Sequence, residues 1–278
     1  MWKTVICIGA GNEAASAGHT SGILKEEEET VVELAVQEKQ TSFGVQIWKE
    51  YTDEVAISLI SPSGVRVGPI QERLGSQRFT LNQTQILLYY GEPSPYSTSQ
   101  EIYIDFIPEG DYVDAGVWKF ELRPGRIVSG RYDLWLPSEG ALNQGTEFLF
   151  PIDNTTITIP ATAESVISVG AYNALDFSYA DFSGRGPERE SQFFQKPDLV
   201  APGVDITTIE PGGGITTVSG TSFATPFVTG GAALLLEWGI VRGNDLYLYG
   251  EKVKAYLRKG AKPLPGFTQY PNPLVVPK

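Results

Sequence analysis

The sequence has very few side chains that carry sulfur or imidazole: its 278 residues include one cysteine, one methionine and one histidine. A single cysteine excludes any disulfide bond within the chain. Cys7 lies in the apolar run Val5-Ile6-Cys7-Ile8, which predicts a buried and unreactive thiol. No group of side chains has the spacing of a metal site, so neither a metal nor another cofactor is predicted.

Long hydrophobic runs and an excess of positive charge are also lacking. The N-terminus has one early lysine and a short apolar run, too little for a signal peptide. The longest later apolar stretch, Gly230 to Leu236, is interrupted by Glu237, and we therefore expect no segment that spans a bilayer. The net charge of −12 argues against nucleic acid and anionic membrane surfaces as partners.

The pattern of apolar residues divides the chain into three zones. Residues 1–24 are an apolar run followed by small residues, which is typical of a buried parallel strand that leads into a loop. Residues 154–278 return to this pattern, with a strand at 165–171 and helices at 222–238 and 251–259. Strands that alternate with helices predict a parallel α/β sheet, so we expect these two zones to form one domain.

The zone between them, residues 25–153, predicts an inserted antiparallel β-sandwich. Short runs alternate with period two, as in Ile102-Ile104-Phe106, and turn sequences such as Pro108-Glu109-Gly110-Asp111 separate them. We interpret the topology as jelly-roll-like. The large aromatic residues are expected mostly in its core, with a carbohydrate or peptide platform as the alternative; they are Trp48, Tyr89, Tyr90, Trp118 and Trp135.

Ser222 is the candidate nucleophile. It follows Gly220 at the predicted start of a helix, where unpaired N–H groups and the helix dipole favour negative charge. Pro226 falls within the first turn or so, where its missing N–H costs little. The alternative for an isolated serine at this place is a helix cap without catalytic function.

Residues 220–230, G-T-S-F-A-T-P-F-V-T-G, match every fixed position of G-T-S-x-A-x-P-x-V-x-G. This pattern resembles the nucleophile segment of the subtilisin-like serine proteases, the subtilases. Three further segments resemble that family in the same order: I-G-A-G-N-E at 8–13, the strand at 165–171 followed by F-S-G-R-G-P at 182–187, and K-P-D-L-V-A-P-G at 196–203. The insertion is similar to that of clostridial spore-germination subtilases, which carry a jelly roll there.

The resemblance implies roles for specific residues and a protein or peptide as substrate. Ser222 would be the nucleophile and Asn12 the side-chain donor of an oxyanion hole; the alternative for Asn12 is a turn residue. The other residues of the implied substrate-binding site are Gly9, Ala10, Gly11, Glu13, Gly220 and Thr221. Gly9, Ala10 and Gly11 would line a wall of the pocket, and Glu13 near its base would favour cationic side chains.

The catalytic triad is incomplete in this sequence. The family carries its aspartate in a D-[ST]-G segment and its histidine in an H-G-[TS] segment, and neither occurs here. His19 follows Asn12 on a predicted loop, and we do not expect it to act as the base. Asp181, Asp198 and Asp205 offer no better candidate, since the resemblance treats their places as structural.

Three explanations stay open. The chain is the C-terminal portion of a longer protease, or it pairs with a second chain that supplies aspartate and histidine, or it is a non-catalytic pseudoprotease that binds through its sandwich. We expect the chain alone to be inactive and to self-associate or need a partner, because an incomplete parallel sheet exposes apolar surface. Family resemblance suggests a spore-associated or extracellular site of action.

Overall fold

A computed structural model describes residues 4–187, 196–264 and 274–275. The chain forms two units, one of residues 1–15 with 153–278 and the other of residues 16–152. The predicted boundary after residue 24 is too late. His19–Ile23 pairs antiparallel with Arg131–Trp135, and therefore this segment is a strand of the sandwich and not part of the α/β unit.

The described residues contain eighteen strands and two α-helices, which are numbered in chain order. The strands are β1 (Cys7–Gly9), β2 (His19–Ile23), β3 (Thr30–Val36), β4 (Phe43–Glu50), β5 (Val55–Ile60), β6 (Arg66–Ile70), β7 (Gln77–Leu81), β8 (Thr84–Tyr90), β9 (Ser99–Pro108), β10 (Gly116–Pro124), β11 (Arg131–Trp135), β12 (Glu147–Phe148), β13 (Ile167–Tyr172), β14 (Leu199–Pro202), β15 (Ile206–Ile209), β16 (Ile215–Val218), β17 (Lys262–Pro263) and β18 (Leu274–Val275). The helices are α1 (Thr221–Leu236) and α2 (Gly250–Gly260).

The sandwich unit consists of two antiparallel sheets, ordered β12-β3-β10-β5-β6 and β2-β11-β4-β9-β8-β7. This confirms the antiparallel sandwich, while the jelly-roll topology stays a prediction. The core contains Trp118 and Tyr90 as expected, and the Trp118 ring packs edge-on against Phe106 at 5.0 Å. Tyr89 is 40% exposed, because alternate residues of a strand face opposite sides of a sheet and Tyr89 follows the buried Leu88.

The α/β unit is built on the sheet β1-β13-β14-β18-β17, in which β1, β13, β14 and β18 run parallel. Every residue of β13 is buried, as expected for an inner strand covered on both faces. The prediction that Cys7 is buried is wrong: it is half-buried, because β1 is the end strand and pairs only with β13 in the described part of the chain.

Helix α1 begins and ends close to the predicted bounds, and a five-residue π-helical segment, Glu237–Val241, continues it. Small side chains on one face, Thr221, Ala224, Val228 and Ala232, are buried in the α/β core. Contrary to the expectation from Glu237, the continuous helix 221–241 is long and apolar enough to cross a membrane by length and composition. Only 22% of its apolar window is buried in the structure, and the rest of the window is exposed.

Asp198 is the centre of a buried ionic cluster that joins β13, β14 and α2. Its carboxylate lies 2.9 Å from Lys196 Nζ and 2.8 Å from Lys254 Nζ, and it accepts a hydrogen bond from the Ser168 backbone N–H. Burial lowers the pKa of Lys196 below its ordinary value, against the opposing effect of Asp198. Asp198 is thus fully engaged in holding the sheet, in agreement with the structural role expected for it.

In the sandwich, Asp53 holds the loop before β11. Its carboxylate accepts hydrogen bonds from the backbone N–H groups of Val128, Ser129 and Gly130 at 2.6 to 3.0 Å. Burial by itself raises the pKa of Asp53, but these hydrogen bonds and Lys49 outweigh it, and the pKa lies below its ordinary value of 3.8. The charged form therefore stabilises the folded state.

We expect Asp53→Asn to lower the free energy of unfolding at pH 7 by about 1–3 kcal/mol, because an amide replaces a charged acceptor. A folded-state pKa below the unfolded value means that this contribution is complete above the unfolded pKa and is lost as the pH falls through the folded pKa. Urea unfolding of both proteins at several pH values measures the difference. A difference in unfolding free energy between the two proteins that stays constant down to pH 2 would contradict the stabilising role of the Asp53 carboxylate.

Candidate active site

The end of β1 meets the start of α1 in the α/β unit. A Cβ added to Gly9 would lie 2.8 Å from Thr221 Oγ1, so only glycine allows this approach. The Thr221 hydroxyl accepts a hydrogen bond from the Gly11 N–H at 3.2 Å. Segments about 210 residues apart in the chain are thereby joined at the predicted site.

Asn12 is fixed by the first residue of α1. Its Oδ1 accepts hydrogen bonds from the Thr221 backbone N–H at 2.9 Å and from the Thr221 hydroxyl at 3.1 Å. Because a backbone N–H can only donate, these contacts identify the oxygen end of the amide, and the Nδ2 end is directed away from them. Nδ2 lies 3.4 Å from where a Cβ of Gly220 would be, and Gly220 has φ +150°.

Ser222 is exposed, and its Oγ makes no hydrogen bond with any residue of 4–187 or 196–264. Its backbone N–H, at the start of α1, likewise has no acceptor among those residues. The positive end of the helix dipole also lies here. A free hydroxyl, a free backbone N–H and an amide Nδ2 therefore come together around the start of one helix.

The loop that carries Asn12 is held from behind by the segments around Gly184 and Thr158. Gly184 N–H donates to the Gly11 carbonyl at 2.9 Å, and Thr158 N–H donates to the Ala10 carbonyl at 3.0 Å. Gly11 has φ +100°, and a Cβ there would lie 2.6 Å from the Thr158 hydroxyl. The F-S-G-R-G-P motif signalled the importance of Gly184, whereas no local pattern pointed to Thr158.

Behind this loop, Tyr179 organises a buried network. Its hydroxyl donates to the Gly184 carbonyl at 2.8 Å and accepts from Ser183, whose Oγ also accepts from the Ala171 N–H at 2.9 Å. Burial raises the pKa of Tyr179 to about 12, so the phenol stays protonated as a donor near neutral pH. The network makes the asparagine loop a rigid part of the fold.

The predicted pocket residues differ in what they expose. Gly9, Gly11 and Glu13 are half-buried, while Ala10 is fully buried and has both backbone groups engaged, with Val169 and Thr158. Ala10 therefore presents no side chain to a substrate. No group of three or more metal-ligand side chains occurs among the described residues.

The prediction that His19 lies on a loop is wrong, because His19 begins strand β2 of the sandwich. It is 1% exposed; its Nε2 lies 3.1 Å from Asp133 Oδ1, and its ring stacks on Trp135 at 4.8 Å. Asp133 also accepts a hydrogen bond from Arg131. The only histidine of the chain is thus engaged within the sandwich unit.

Comparison with known proteins agrees with the resemblance that the motifs indicate. A family model described as the subtilase family matches residues 143–272. The CspB protease of Clostridium perfringens, a solved structure, is 40% identical and superposes with a TM-score of 0.91 over 99% of this chain. The chain is similar to the subtilase family in both sequence and fold. Subtilases are serine proteases, and the α/β fold with flanking helices predicted from the motifs is confirmed.

The chain spans only part of the length of its relatives. It covers 58% of the CspB chain and 15% of the PII-type proteinase of Lactococcus lactis subsp. cremoris, to which it is 26% identical over 90% of its own length. The Cell wall-associated protease of Bacillus subtilis is 42% identical over 28% of this chain and 8% of that protein. The relatives therefore contain extensive sequence with no counterpart in these 278 residues.

Proposed function

We propose that this protein is a subtilase and acts as a serine endopeptidase, with Ser222 as nucleophile and with Asn12 Nδ2 and the Ser222 N–H as the oxyanion hole. The observation that supports this most directly is the orientation of Asn12. Thr221 binds the oxygen end of the amide, and this leaves Nδ2 free beside an exposed Ser222. A preorganised donor of this kind stabilises charge that develops on the carbonyl oxygen in the transition state.

The proposed reaction is acyl transfer. Ser222 Oγ attacks the carbonyl carbon of the scissile peptide, and its proton passes through a base to the leaving amine as the C–N bond breaks. Water then attacks the acyl-enzyme ester, and the acid product and the free Ser222 hydroxyl result. Asn12 and the Ser222 N–H would hold the oxyanion of both tetrahedral intermediates.

We propose that the base and its orienting aspartate come from a polypeptide segment outside these 278 residues. His19, the only histidine, is buried and bound to Asp133 in the sandwich. Asp198 is bound by two lysines. The same proposal makes the chain inactive until that segment binds, because a serine hydroxyl without a base is a poor nucleophile.

The surface of the α/β unit supports a partner of this kind. Opposite its buried face, α1 with its π-helical continuation carries an exposed apolar stripe, formed by Phe223, Phe227, Leu234, Trp238 and Val241. The stripe starts next to Ser222. Beside it, β1 is an end strand with one unpaired edge in the described residues. An exposed apolar stripe and an open parallel edge are the features that a further layer of helices and strands covers.

Labelling with a fluorophosphonate tests the proposal. The probe forms a covalent adduct with an activated serine, so we expect Ser222 to stay unlabelled in the chain alone. The complementing polypeptide is the part of the CspB protease that the match leaves uncovered. When it is added, we expect labelling to rise at least about 100-fold, the smallest effect usual for gain of a general base. Ser222→Ala in the same mixture is the matched control.

Each outcome separates the alternatives. Strong labelling of Ser222 in the chain alone would disprove the external base. No labelling in either sample, although the two polypeptides bind, would favour a non-catalytic protein that acts through its sandwich. Size-exclusion chromatography of the mixture measures whether the two polypeptides bind. Light scattering detects self-association, and flotation with neutral lipid vesicles would instead show that the α1 stripe binds a bilayer.

A further inference from the structure

The sandwich has an opening along one side, between the edges of its two sheets. β2 is an end strand of one sheet, and β3 of the other sheet pairs with β12 over only two residues. The segment 147–152 fills part of the opening. Leu149 N–H donates to the Glu33 carbonyl at 3.0 Å, and the segment then leaves β3 and crosses to β2, where Ile152 N–H donates to the His19 carbonyl at 2.8 Å.

Further along each of these two strands, the backbone groups that face the opening have no hydrogen-bond partner in the described part of the chain. In an antiparallel strand, residues two apart direct their backbone groups to the same edge. The backbone N–H and C=O groups of Val31 therefore face the opening, as those of Glu33 do. The backbone groups of Ser21 face it in the same way as those of His19. Strand pairing gives neither residue a partner on this side within the described ranges. The opening thus presents unpaired backbone N–H and C=O groups from both sheets.

A cavity of about 580 Å³ lies between these two edges. Among its lining residues are Ser21, Val31, Tyr132, Phe148 and Phe150. Phe148 is buried, while Val31 and Phe150 are exposed at the rim. The volume is within the range of pockets that bind small ligands or single side chains.

Tyr132 is the polar group that points to a ligand. The residue is 8% exposed, and its hydroxyl lies over β2, 2.5 Å from where a Cβ of Gly22 would be. The hydroxyl makes no hydrogen bond with any described residue, and its oxygen is not enclosed by the protein, so it can donate to a ligand in the cavity. Burial raises the pKa of Tyr132 above its ordinary value, and the hydroxyl therefore remains a donor at neutral pH.

The cavity does not select for charge. Glu33 is the only charged side chain that lines it, and Lys119 Nζ lies 2.9 Å from its carboxylate. Vacant backbone groups on two edges favour a ligand with its own regular backbone donors and acceptors, and the apolar walls favour an apolar side chain. An extended peptide combines both properties, as in the addition of a strand to a sheet edge.

We infer that this opening is a binding site for an extended, uncharged peptide segment of a partner protein. The peptide would pair with the Val31 edge of β3, insert one apolar side chain between Phe148 and Val32, and accept a hydrogen bond from the Tyr132 hydroxyl through one of its carbonyls. The site lies wholly within residues 16–152 and uses no catalytic residue. The inference therefore does not depend on the proposed peptidase activity.

Binding of a fluorescent library of capped, uncharged heptapeptides with alternating valine or leucine tests the inference on the full chain. We expect saturable binding in fluorescence polarisation. Tyr132→Phe removes only the donor and should weaken binding about 3- to 10-fold. Val31→Pro removes the vacant N–H of an edge strand and should weaken it at least about tenfold, whereas Val31→Thr, which keeps that N–H, should bind as wild type does.

Ser222→Ala distinguishes this site from the proposed active site and should bind the peptides normally. Circular dichroism verifies that each variant is folded, and Tyr132→Phe suffices for the test if Val31→Pro does not fold. The inference fails if no library member binds. It also fails if Tyr132→Phe and Val31→Pro bind as wild type does, or if a glycan array shows binding that Tyr132→Phe abolishes while the peptides do not bind.

Discussion

Replacing Asn12 with alanine in the complemented protein is expected to lower kcat by about 10²–10³-fold with little change in KM, the size usual for loss of one oxyanion-hole donor. The proposed donor is Nδ2, which the Thr221 contacts leave free. Steady-state kinetics with a peptide substrate measures the effect. Asn12→Ala also removes the acceptor for the first N–H of α1, so it changes stability as well as activity.

Asn12→Asp separates these two effects. Aspartate keeps an oxygen for the Thr221 N–H, and a negative charge at the start of α1 favours the folded state. The same substitution removes the N–H₂ donor and places negative charge next to the developing oxyanion. We therefore expect unchanged or higher thermal stability together with a loss of activity at least as large as that of Asn12→Ala. A variant with near-wild-type kcat would show that Asn12 only caps the helix.

Replacing Asp198 with alanine is expected to cause the largest loss of stability, about 3–5 kcal/mol of unfolding free energy. The substitution removes the carboxylate that pairs with the buried Lys196 ammonium group. The same carboxylate is the partner of Lys254 and of the Ser168 N–H. Removing one member of a buried ionic group costs more than removing the whole group, because the remaining charge is desolvated without compensation. Hydrogen exchange of β13 and β14 measures the effect in the α/β unit.

Asp198→Asn and a multiple variant serve as controls. Asparagine retains an acceptor for Ser168 but not the charge, so we expect an intermediate loss. The combination of Asp198→Leu, Lys196→Met and Lys254→Met should recover much of the stability, because no buried charge is left unpaired. If Asp198→Ala costs less than about 1 kcal/mol, the cluster is solvated and does not hold the sheet.

Local patterns predicted much of the fold. The period-two alternation in residues 25–153 indicated a sandwich, and buried residues such as Ile102, Ile104 and Phe106 on β9 bear this out. α1 was expected at 222–238 and begins at Thr221. No local pattern predicts β2, since H-T-S-G-I has no clear alternation and becomes a strand only through its pairing with β11. Its assignment to the sandwich could not follow from a local pattern.

The eleven-residue motif around Ser222 is enough to identify the candidate nucleophile and the resemblance to the subtilases, because it encodes a backbone requirement and a reactive group in one local segment. No local pattern could specify which end of the Asn12 amide is free, that Ala10 is buried, or that His19 is bound in the sandwich. Each of these features depends on contacts between residues that are distant in the chain. Asn12 and Thr221 are 209 residues apart, and no local pattern specifies the hydrogen bond that orients one by the other.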